Sequence, residues 1–423
     1  MKESPRQRDI LAAPWGKSAP ALNRLDQPGS PADARAARSH SGPLAIALVI
    51  ESSSGGSMRH VVDLAVELVG QGHNVVVFHG HARPDPSMLA ALDVAGVKRR
   101  PVDIPRRPDP LAALACLRWL RRLEREGGFD LVHAHSSLAG FFCRTALRRL
   151  PVVYTPHAFA TMNPALPRFR RAAYTLVERL LGNRRSAAVI CVSAAERRHA
   201  AQLGLSPPRL HTVVNGGALQ PLRPRAEVRE DWGVPEPAFV FGFLGRLCPQ
   251  KAPDRFVHMI ADLAAEFPHT HGVIVGDGEL APALRQLAAH LGVADRIRMA
   301  GYQAPHRVLA GFDCLAMTSR YEAMPYVLIE ALGAGLPLLS TAVGGAEEAI
   351  AEGGNGYSQG IDPTVGTGLA TAARKLVTGN RPAMSRASLE RARAFAIPEM
   401  VRGTLAVYRH ILSGAAGAPE QNL

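Results

Sequence analysis

Residues 319–345 read SRYEAMPYVLIEALGAGLPLLSTAVGG. An apolar run, CLAMTS (314–319), leads into this stretch, and a second one, PLLSTA (337–342), lies within it. The intervening VLIEALGAG has the length and composition of a short helix closed by glycine. Strand, loop, helix and strand in so few residues make the unit of a parallel α/β sheet. Pro325 suits the first helical turn, which leaves Glu322 in the loop and puts Glu330 a turn or more into the helix. Ligands of doubly wound sheets bind beyond the carboxyl ends of the strands, and the loop 319–325 is such an end. The free amides around Ala323 and Met324 can receive phosphate or hydroxyl oxygens there. A carboxylate beside them can accept from two vicinal hydroxyls.

The pattern extends in both directions. FVFGFLG (239–245), HGVIVGDG (271–278) and IRMAGY (297–302) precede it as further strands of the same half. The earlier half supplies LAIALVI (44–50), NVVVF (74–78), DLVHAH (130–135), PVVYTPH (151–157), AAVICVS (187–193) and LHTVVN (210–215). Amphipathic stretches such as MRHVVDLAVELVGQG (58–72) and LAALACLRWLRRLERE (111–126) lie between them. This alternation predicts two doubly wound α/β domains. QPLRPRAEVREDWGVPEP (220–237) is polar and proline-rich, which puts a linker at 217–237 between domains at 44–216 and 238–397. An amphipathic helix at 398–412 is placed to return to the first domain. Residues 1–43 are rich in Pro, Ala, Ser and Arg without periodicity, so a disordered tail is expected.

Composition narrows the class. The chain has 423 residues, 47% of them apolar, enough for two buried cores. No run of about 18 apolar residues marks a membrane span, and the N-terminus lacks the apolar block of a secretory signal; a cytoplasmic protein is expected. The five cysteines are scattered with no C-x-x-C spacing, which argues for free thiols and against a disulfide framework or zinc site. The net charge of +13 is uneven: residues 44–215 hold 23 Lys or Arg against 12 Asp or Glu. A basic first domain suits an anionic partner such as a lipid surface or a lipid-linked phosphate. No zinc-finger spacing or aromatic RNA-binding motif points to nucleic acid.

Other strand ends carry chemistry. Glu51-Ser-Ser-Ser-Gly55-Gly56-Ser57 follows the first strand, where paired glycines let backbone approach a ligand at a helix start. Gly245-Arg246-Leu-Cys-Pro-Gln-Lys251 puts two cations on one strand-end loop, a fork and a point charge able to neutralise a diphosphate. It lacks the Gly-Lys-Ser/Thr ending of a P-loop. His135 and His157 close strands of the first domain and suit hydrogen bonding to a hydroxyl or carriage of a proton; His133 reads as core. FATMNPALPRFRRAAY (159–174) interleaves Phe159, Met162 and Phe169 with Arg168, Arg170 and Arg171. With Arg118, Arg121, Arg122 and Arg125 it forms a basic, apolar-studded surface that can lie on an anionic membrane.

Taken together, these motifs resemble the retaining glycosyltransferases of family 4, which have the GT-B fold: two Rossmann-like domains facing a central cleft. The likeness spans roughly 44–412. It rests on Gly245-Arg246…Lys251, the Glu322-x7-Glu330 pair and GLPLLSTAVGG, supported by DLVHAHS, YTPHAF, ICVSAAE, VVNGG and VGDGEL. The EAMP and TPHAF stretches are similar to enzymes of exopolysaccharide or lipid-linked glycan assembly. The resemblance implies that Arg246 and Lys251 hold the diphosphate of a UDP- or GDP-linked sugar without a metal or other cofactor. Glu330 then binds the ribose. Glu322 and the amides of Ala323 and Met324 take the sugar, Gly55 and Gly56 approach from across the cleft, and His157 lies near the transferred group. His135, Arg168, Arg170 and Arg171 are candidates for the acceptor side. Two departures bear on donor identity: Lys251 is followed by Ala252 where the family often has glycine, and Glu322-Ala323-Met324 stands where many members read Glu-Gly-Phe. A nucleotide-sugar 2-epimerase of the same fold, or a silent membrane-surface subunit, are the rival readings.

Overall fold

The computed structural model describes residues 42–81, 84–218, 220–360 and 367–414. The tail expected at 1–43 therefore lies outside the described residues but for its last two. The first lobe runs β1 (Ala45–Ile50), α1 (Gly55–Gly70), β2 (Asn74–His79), α2 (Pro86–Val94), β3 (Lys98–Pro101), α3 (Pro110–Glu126), β4 (Leu131–His135), α4 (Ser137–Ala146), β5 (Val152–Thr155), α5 (Arg168–Arg185), β6 (Ala188–Cys191), α6 (Ala194–Gln202) and β7 (Leu210–Thr212). Its seven strands are ordered β3-β2-β1-β4-β5-β6-β7 and pair in parallel. β1 is buried along its whole length, as a central parallel strand covered on both faces must be. Its side chains alternate between two cores. Ile46, Leu48 and Ile50 meet Met58, Val61 and Leu64 of α1, while Ala47 and Val49 meet Cys116 and Leu120 of α3 and Phe142 of α4.

The second lobe starts with α7 (Arg225–Trp232). It continues through β8 (Phe239–Leu244), α8 (Pro253–Ala264), β9 (Thr270–Val275), α9 (Ala281–His290), β10 (Ile297–Gly301), β11 (Cys314–Met317), α10 (Tyr326–Gly333), β12 (Leu338–Thr341), α11 (Ala346–Ala349), β13 (Gly356–Gln359), α12 (Thr367–Thr378) and α13 (Arg381–Ala392). Its parallel sheet has the order β10-β9-β8-β11-β12-β13. Phe239, Phe241 and Phe243 face Phe256 and Ile260 on one side; Val240 faces Trp232 and Phe312 on the other. α14 (Ile397–Ser413) then crosses back to the first lobe. Its Met400, Val401, Leu405 and Tyr408 join the core of Ile46 and Leu48. The chain thus passes between lobes twice, and the crossings touch where Gly217 N donates to Phe395 O at 2.9 Å.

Two expectations need correction. Residues 225–232, read as polar linker, form helix α7. Val228 and Trp232, one turn apart, bury against the second sheet, and Trp232 stacks on Phe312 at 5.4 Å. Arg229 is 2% exposed yet compensated, donating to Asp313 Oδ2 at 2.6 Å, Gly311 O and Ala238 O; a buried charge persists only when so paired. In addition, β3 (KRRP) and β13 (GYSQ) were not anticipated. Both are short edge strands with polar residues, where alternation with a buried face is weak.

Candidate active site at the facing strand ends

The cation loop lies at the carboxyl end of β8. Lys251 Nζ sits 2.7 Å from Glu322 Oε1, which also accepts from Ser319 Oγ at 2.8 Å. Both charged side chains are largely buried, at 17% and 9% exposure, so the pair is screened less than a surface ion pair. Thr318 Oγ1 donates to the carbonyls of Lys251 and Ala252, tying this loop to the end of β11. Ala252 has φ 47°, the left-handed region that favours glycine; the departure from the family pattern is thus held in a conformation glycine would adopt more easily. Arg246 stands exposed at the mouth.

The loop 322–325 packs against the 343–345 turn. A Cβ on Gly344 would come within 2.4 Å of Ala323 O, and one on Gly345 within 2.6 Å of Met324 Sδ. Gly344 of the quoted motif is therefore a steric requirement of a flush backbone contact, and Gly345 adopts φ 86°, which favours glycine. Pro325 is the N-cap rather than a residue of the first turn, an offset of one position from the sequence reading. Glu330 is the fifth residue of α10, 9% exposed, and burial pushes its carboxyl up to about 7 against the opposing pull of Arg59.

Arg59 comes from the other lobe. It donates to Asp63 Oδ2 at 2.9 Å, reaches Glu330 Oε1 at 3.6 Å and lies over the Tyr326 ring at 5.5 Å. Gly55 has φ 79° and opens α1. A Cβ at Gly56 would stand 3.5 Å from the Tyr326 ring, so the glycine pair meets the second lobe closely.

Beneath this contact lies a group of histidines. His135 Nδ1 and His157 Nε2 are 3.1 Å apart, and His60 packs edge-on to His157 with centroids 4.8 Å apart. His60 Nδ1 lies 3.0 Å from Asn215 Oδ1, and Asn215 Nδ2 donates to Met324 O at 2.9 Å. Asn215 thereby links α1 to the loop beside Glu322. Since its oxygen can only accept, His60 donates from Nδ1 and presents a bare Nε2. Among the described residues, His60 Nε2 and His135 Nε2 are buried without a hydrogen-bond partner. Burial lowers His60 to about 4 and holds His135 and His157 well below the usual histidine value, so all three are neutral at pH 7. Their ligand-capable nitrogens lie within 4.8 Å of one another, a donor set compatible with a divalent transition ion. Two of those nitrogens already bond each other.

His157 has φ 54° and Ala158 φ 84°. Ala158 N donates to Glu196 Oε1 at 2.7 Å and Val192 N to Glu196 Oε2 at 2.8 Å, so one buried carboxylate fixes the unusual backbone that carries His157. Burial raises Glu196 to about 7.

The structure thus brings together His157, Glu322, Lys251, Glu330, Ala323, Met324, Gly55 and Gly56 around the inter-lobe contact, with Arg246 at the rim. Two assignments change. His135 is fully buried under His157 and supports it, instead of facing an acceptor. Arg171 donates to the carbonyls of Thr161, Asn163 and Pro164 and braces the loop after His157, while Arg168 and Arg170 are exposed on α5. His133, 0% exposed, bonds Tyr408 and Thr155. Arg59, His60, Asn215 and Glu196 went unassigned in the sequence. Asn215 and Glu196 fall within VVNGG and ICVSAAE, but their partners are distant in the chain.

Comparison with known proteins agrees with this fold. Residues 54–219 match the model for Glycosyltransferase Family 4, and residues 224–388 match that for Glycosyl transferases group 1. A D-inositol 3-phosphate glycosyltransferase of Frankia alni is 32% identical over 399 residues, covering 86% of this chain and 97% of that one. Among solved structures, Anabaena Alr3699/HepE in complex with UDP-glucose superposes with a TM-score of 0.73 at 22% identity, covering 88% of this chain and all of that one. Sucrose-phosphate synthase from Thermosynechococcus elongatus gives 0.72 at 19% identity, with coverage of 88% and 100%. With two parallel-sheet lobes, the strand-end constellation and relatives matched over nearly their whole length, the chain belongs to the family 4 glycosyltransferases of GT-B architecture.

Proposed function

We propose that this glycosyltransferase moves a hexosyl group from a UDP- or GDP-linked sugar to a hydroxyl of an anionic acceptor, with retention of anomeric configuration. The observation that carries the donor half is the Lys251–Glu322 pair at 2.7 Å, set against Glu330 and the Gly55–Gly56 turn. A donor diphosphate entering between Arg246 and Lys251 takes over the lysine's charge and frees Glu322 for sugar hydroxyls. Positive charge fixed where the leaving diphosphate develops its own is the largest catalytic contribution expected here, and it performs the task a divalent ion would. The acceptor oxygen bonds to C1 on the face from which the C1–phosphate oxygen bond breaks. Its proton passes to the departing phosphate oxygen, so no protein nucleophile is needed. Neutral His157 contributes hydrogen bonding beside the transferred sugar, not a positive charge.

The UDP-glucose complex of the Anabaena protein favours a uridine donor. The basic first lobe favours a phosphorylated acceptor, either a lipid-linked or polysaccharide precursor or a phosphorylated polyol of the kind named for the Frankia relative. The test is a screen of nucleotide sugars against both acceptor types, with the product's anomeric coupling read by NMR. Transfer with the donor's configuration kept supports the reading. Inversion overturns retention, and conversion of donor to its 2-epimer without transfer overturns the whole assignment.

A further inference from the structure

Helix α5 has an outer face that the first lobe does not cover. Phe169, Leu176 and Leu180 are 72%, 57% and 41% exposed, and exposed Ala173 lies between them. At 100° per residue these four positions fall on one stripe. Arg168 and Arg179 flank it on one edge, Arg170 and Arg184 on the other, all of them exposed. The helix's one acidic residue, Glu178, is turned inward: it is buried and bound by Arg144 Nη1 at 2.9 Å and by the Tyr154 hydroxyl. The outer surface is therefore apolar and positive, with no compensating anion of its own.

Neighbouring helices continue this character. α4 packs against both α3 and α5. It exposes Phe141, and α3 exposes Leu111 at 81% and Leu114 at 40% beside exposed Arg118, Arg121 and Arg125. A shallow depression of about 420 Å³ runs along α5, lined by Arg168, Arg171, Ala172, Thr175, Leu176 and Arg179. The free guanidinium groups of Arg168 and Arg179 beside an apolar wall match a phosphate at the level of a lipid headgroup, with acyl chain below. No helix among the described residues is long and apolar enough to cross a membrane, so the contact is one of lying on the surface.

We infer that the outer face of α5, extended by α3, docks this enzyme on an anionic lipid bilayer, with Phe169, Leu176 and Leu180 in the headgroup–acyl boundary and the flanking arginines on headgroup phosphates. A protein partner would need a complementary acidic, apolar groove, whereas residues 216–423 hold about as many basic as acidic residues, so overall charge favours a lipid surface over a second copy. This surface is distinct from the inter-lobe site, and its docking does not depend on the donor or acceptor assigned there.

The experiment is co-sedimentation of the full chain with vesicles of phosphatidylcholine alone and of equal parts phosphatidylcholine and phosphatidylglycerol. Binding about tenfold tighter to the mixed vesicles, and weakened by salt, is expected. The triple variant Phe169→Ser, Leu176→Ser, Leu180→Ser should lose it while keeping its thermal midpoint and sugar transfer to a water-soluble acceptor. Arg179→Gln with Arg184→Gln should weaken it without touching the apolar stripe. Equal sedimentation with both vesicle types, none with either, or undiminished binding by the triple-serine variant overturns the proposal. So does a lipid-free dimer, seen by sedimentation equilibrium, that the same three serines disperse.

Discussion

The two lobes meet at one cleft but present opposite kinds of chemistry to it. The second lobe brings formal charge: Lys251 paired with Glu322, Glu330 beside them and Arg246 at the rim. The first lobe brings neutral imidazoles, His60, His135 and His157, all held uncharged by burial; Arg59 reaches the contact from α1, whereas arginines such as Arg168, Arg170 and Arg179 lie on the outer helix α5. A lobe that must stabilise a leaving diphosphate needs fixed positive charge. A lobe that faces the transferred sugar and a hydroxyl acceptor needs hydrogen bonds in a dry setting, where a further cation would compete for the donor.

The sharpest way to break this contrast is Lys251→Ala. Removing a charge aimed at the developing oxyanion lowers kcat by about 10²–10³, measured as transfer from a nucleotide sugar at saturating donor. Glu322 then loses its partner, so a thermal melt has to accompany the assay. A folded variant with near-normal kcat would show that the charge of this loop is irrelevant to chemistry.

The neutral cluster is tested next, through stability against pH. A histidine whose folded pKa is depressed favours the fold in full above its unfolded value of about 6.5 and loses that contribution as pH falls. For His60 the window runs from 6.5 down to about 4. Glu196 and Glu330, raised to about 7, act in the opposite sense: their relative stabilisation is complete below about 4.5 and disappears as pH rises through 7. His73, His79, His133, His135, His157, His199, His211 and His271 are depressed along with His60, against raised carboxylates at Asp63, Glu196, Glu330 and Glu348; the histidines outnumber them, and stability should fall between pH 6.5 and 5. His60→Gln should reduce that slope by about 1.4 kcal/mol per pH unit, one proton's worth, in denaturant melts across the range. An unchanged slope would mean that His60 carries its proton in the folded state.

Arg59 crosses the boundary between the two chemistries, the first lobe's cation reaching the second lobe's carboxylate at 3.6 Å. Since Glu330 sits at about 7 despite the pull of Arg59, Arg59→Gln should move it higher. The acid-side fall of kcat/KM for the nucleotide sugar should then begin at higher pH, with a loss of roughly fivefold at pH 7, the size of a half-exposed ion pair. Arg59→Lys should restore the profile. A uniform loss at every pH would reduce Arg59 to a packing residue.

Legibility in the sequence divided along the same line. The central strands were readable because strands covered on both faces must be continuous apolar runs, and LAIALVI or FVFGFLG has no other plausible use. The charged lobe was readable because its residues follow one another at strand ends: Arg246, Lys251, Glu322 and Glu330 all lie within 85 positions. In the neutral lobe His157 and the Gly55–Gly56 turn were readable as strand ends, but the residues that hold them, His60, Asn215 and Glu196, were not, because their logic is tertiary. His60 and Asn215 are 155 residues apart and Asn215 and Met324 are 109 apart; no local spacing encodes that relay. Helix α7 was missed because a charged stretch with only Val228 and Trp232 to bury resembles a linker until the Asp313 that neutralises Arg229 is in place.

The smallest effect concerns Ala252, where the charged loop departs from its family's usual glycine. A non-glycine residue in the left-handed region costs about 1 kcal/mol, while glycine loses about 0.5–1 kcal/mol more in chain entropy on folding. The two nearly cancel, so Ala252→Gly should change stability by less than about 1 kcal/mol, in the stabilising direction, by denaturant titration. Function separates the two halves of that balance. Thr318 already clamps the carbonyls of Lys251 and Ala252, so the glycine should leave KM for the donor unchanged. Thr318→Val, which removes the clamp at equal volume, should raise KM in the Ala252→Gly background more than in the parent, because only glycine lets the released lysine loop wander. Equal increases in the two backgrounds would mean that the alanine contributes nothing to holding Lys251 toward Glu322.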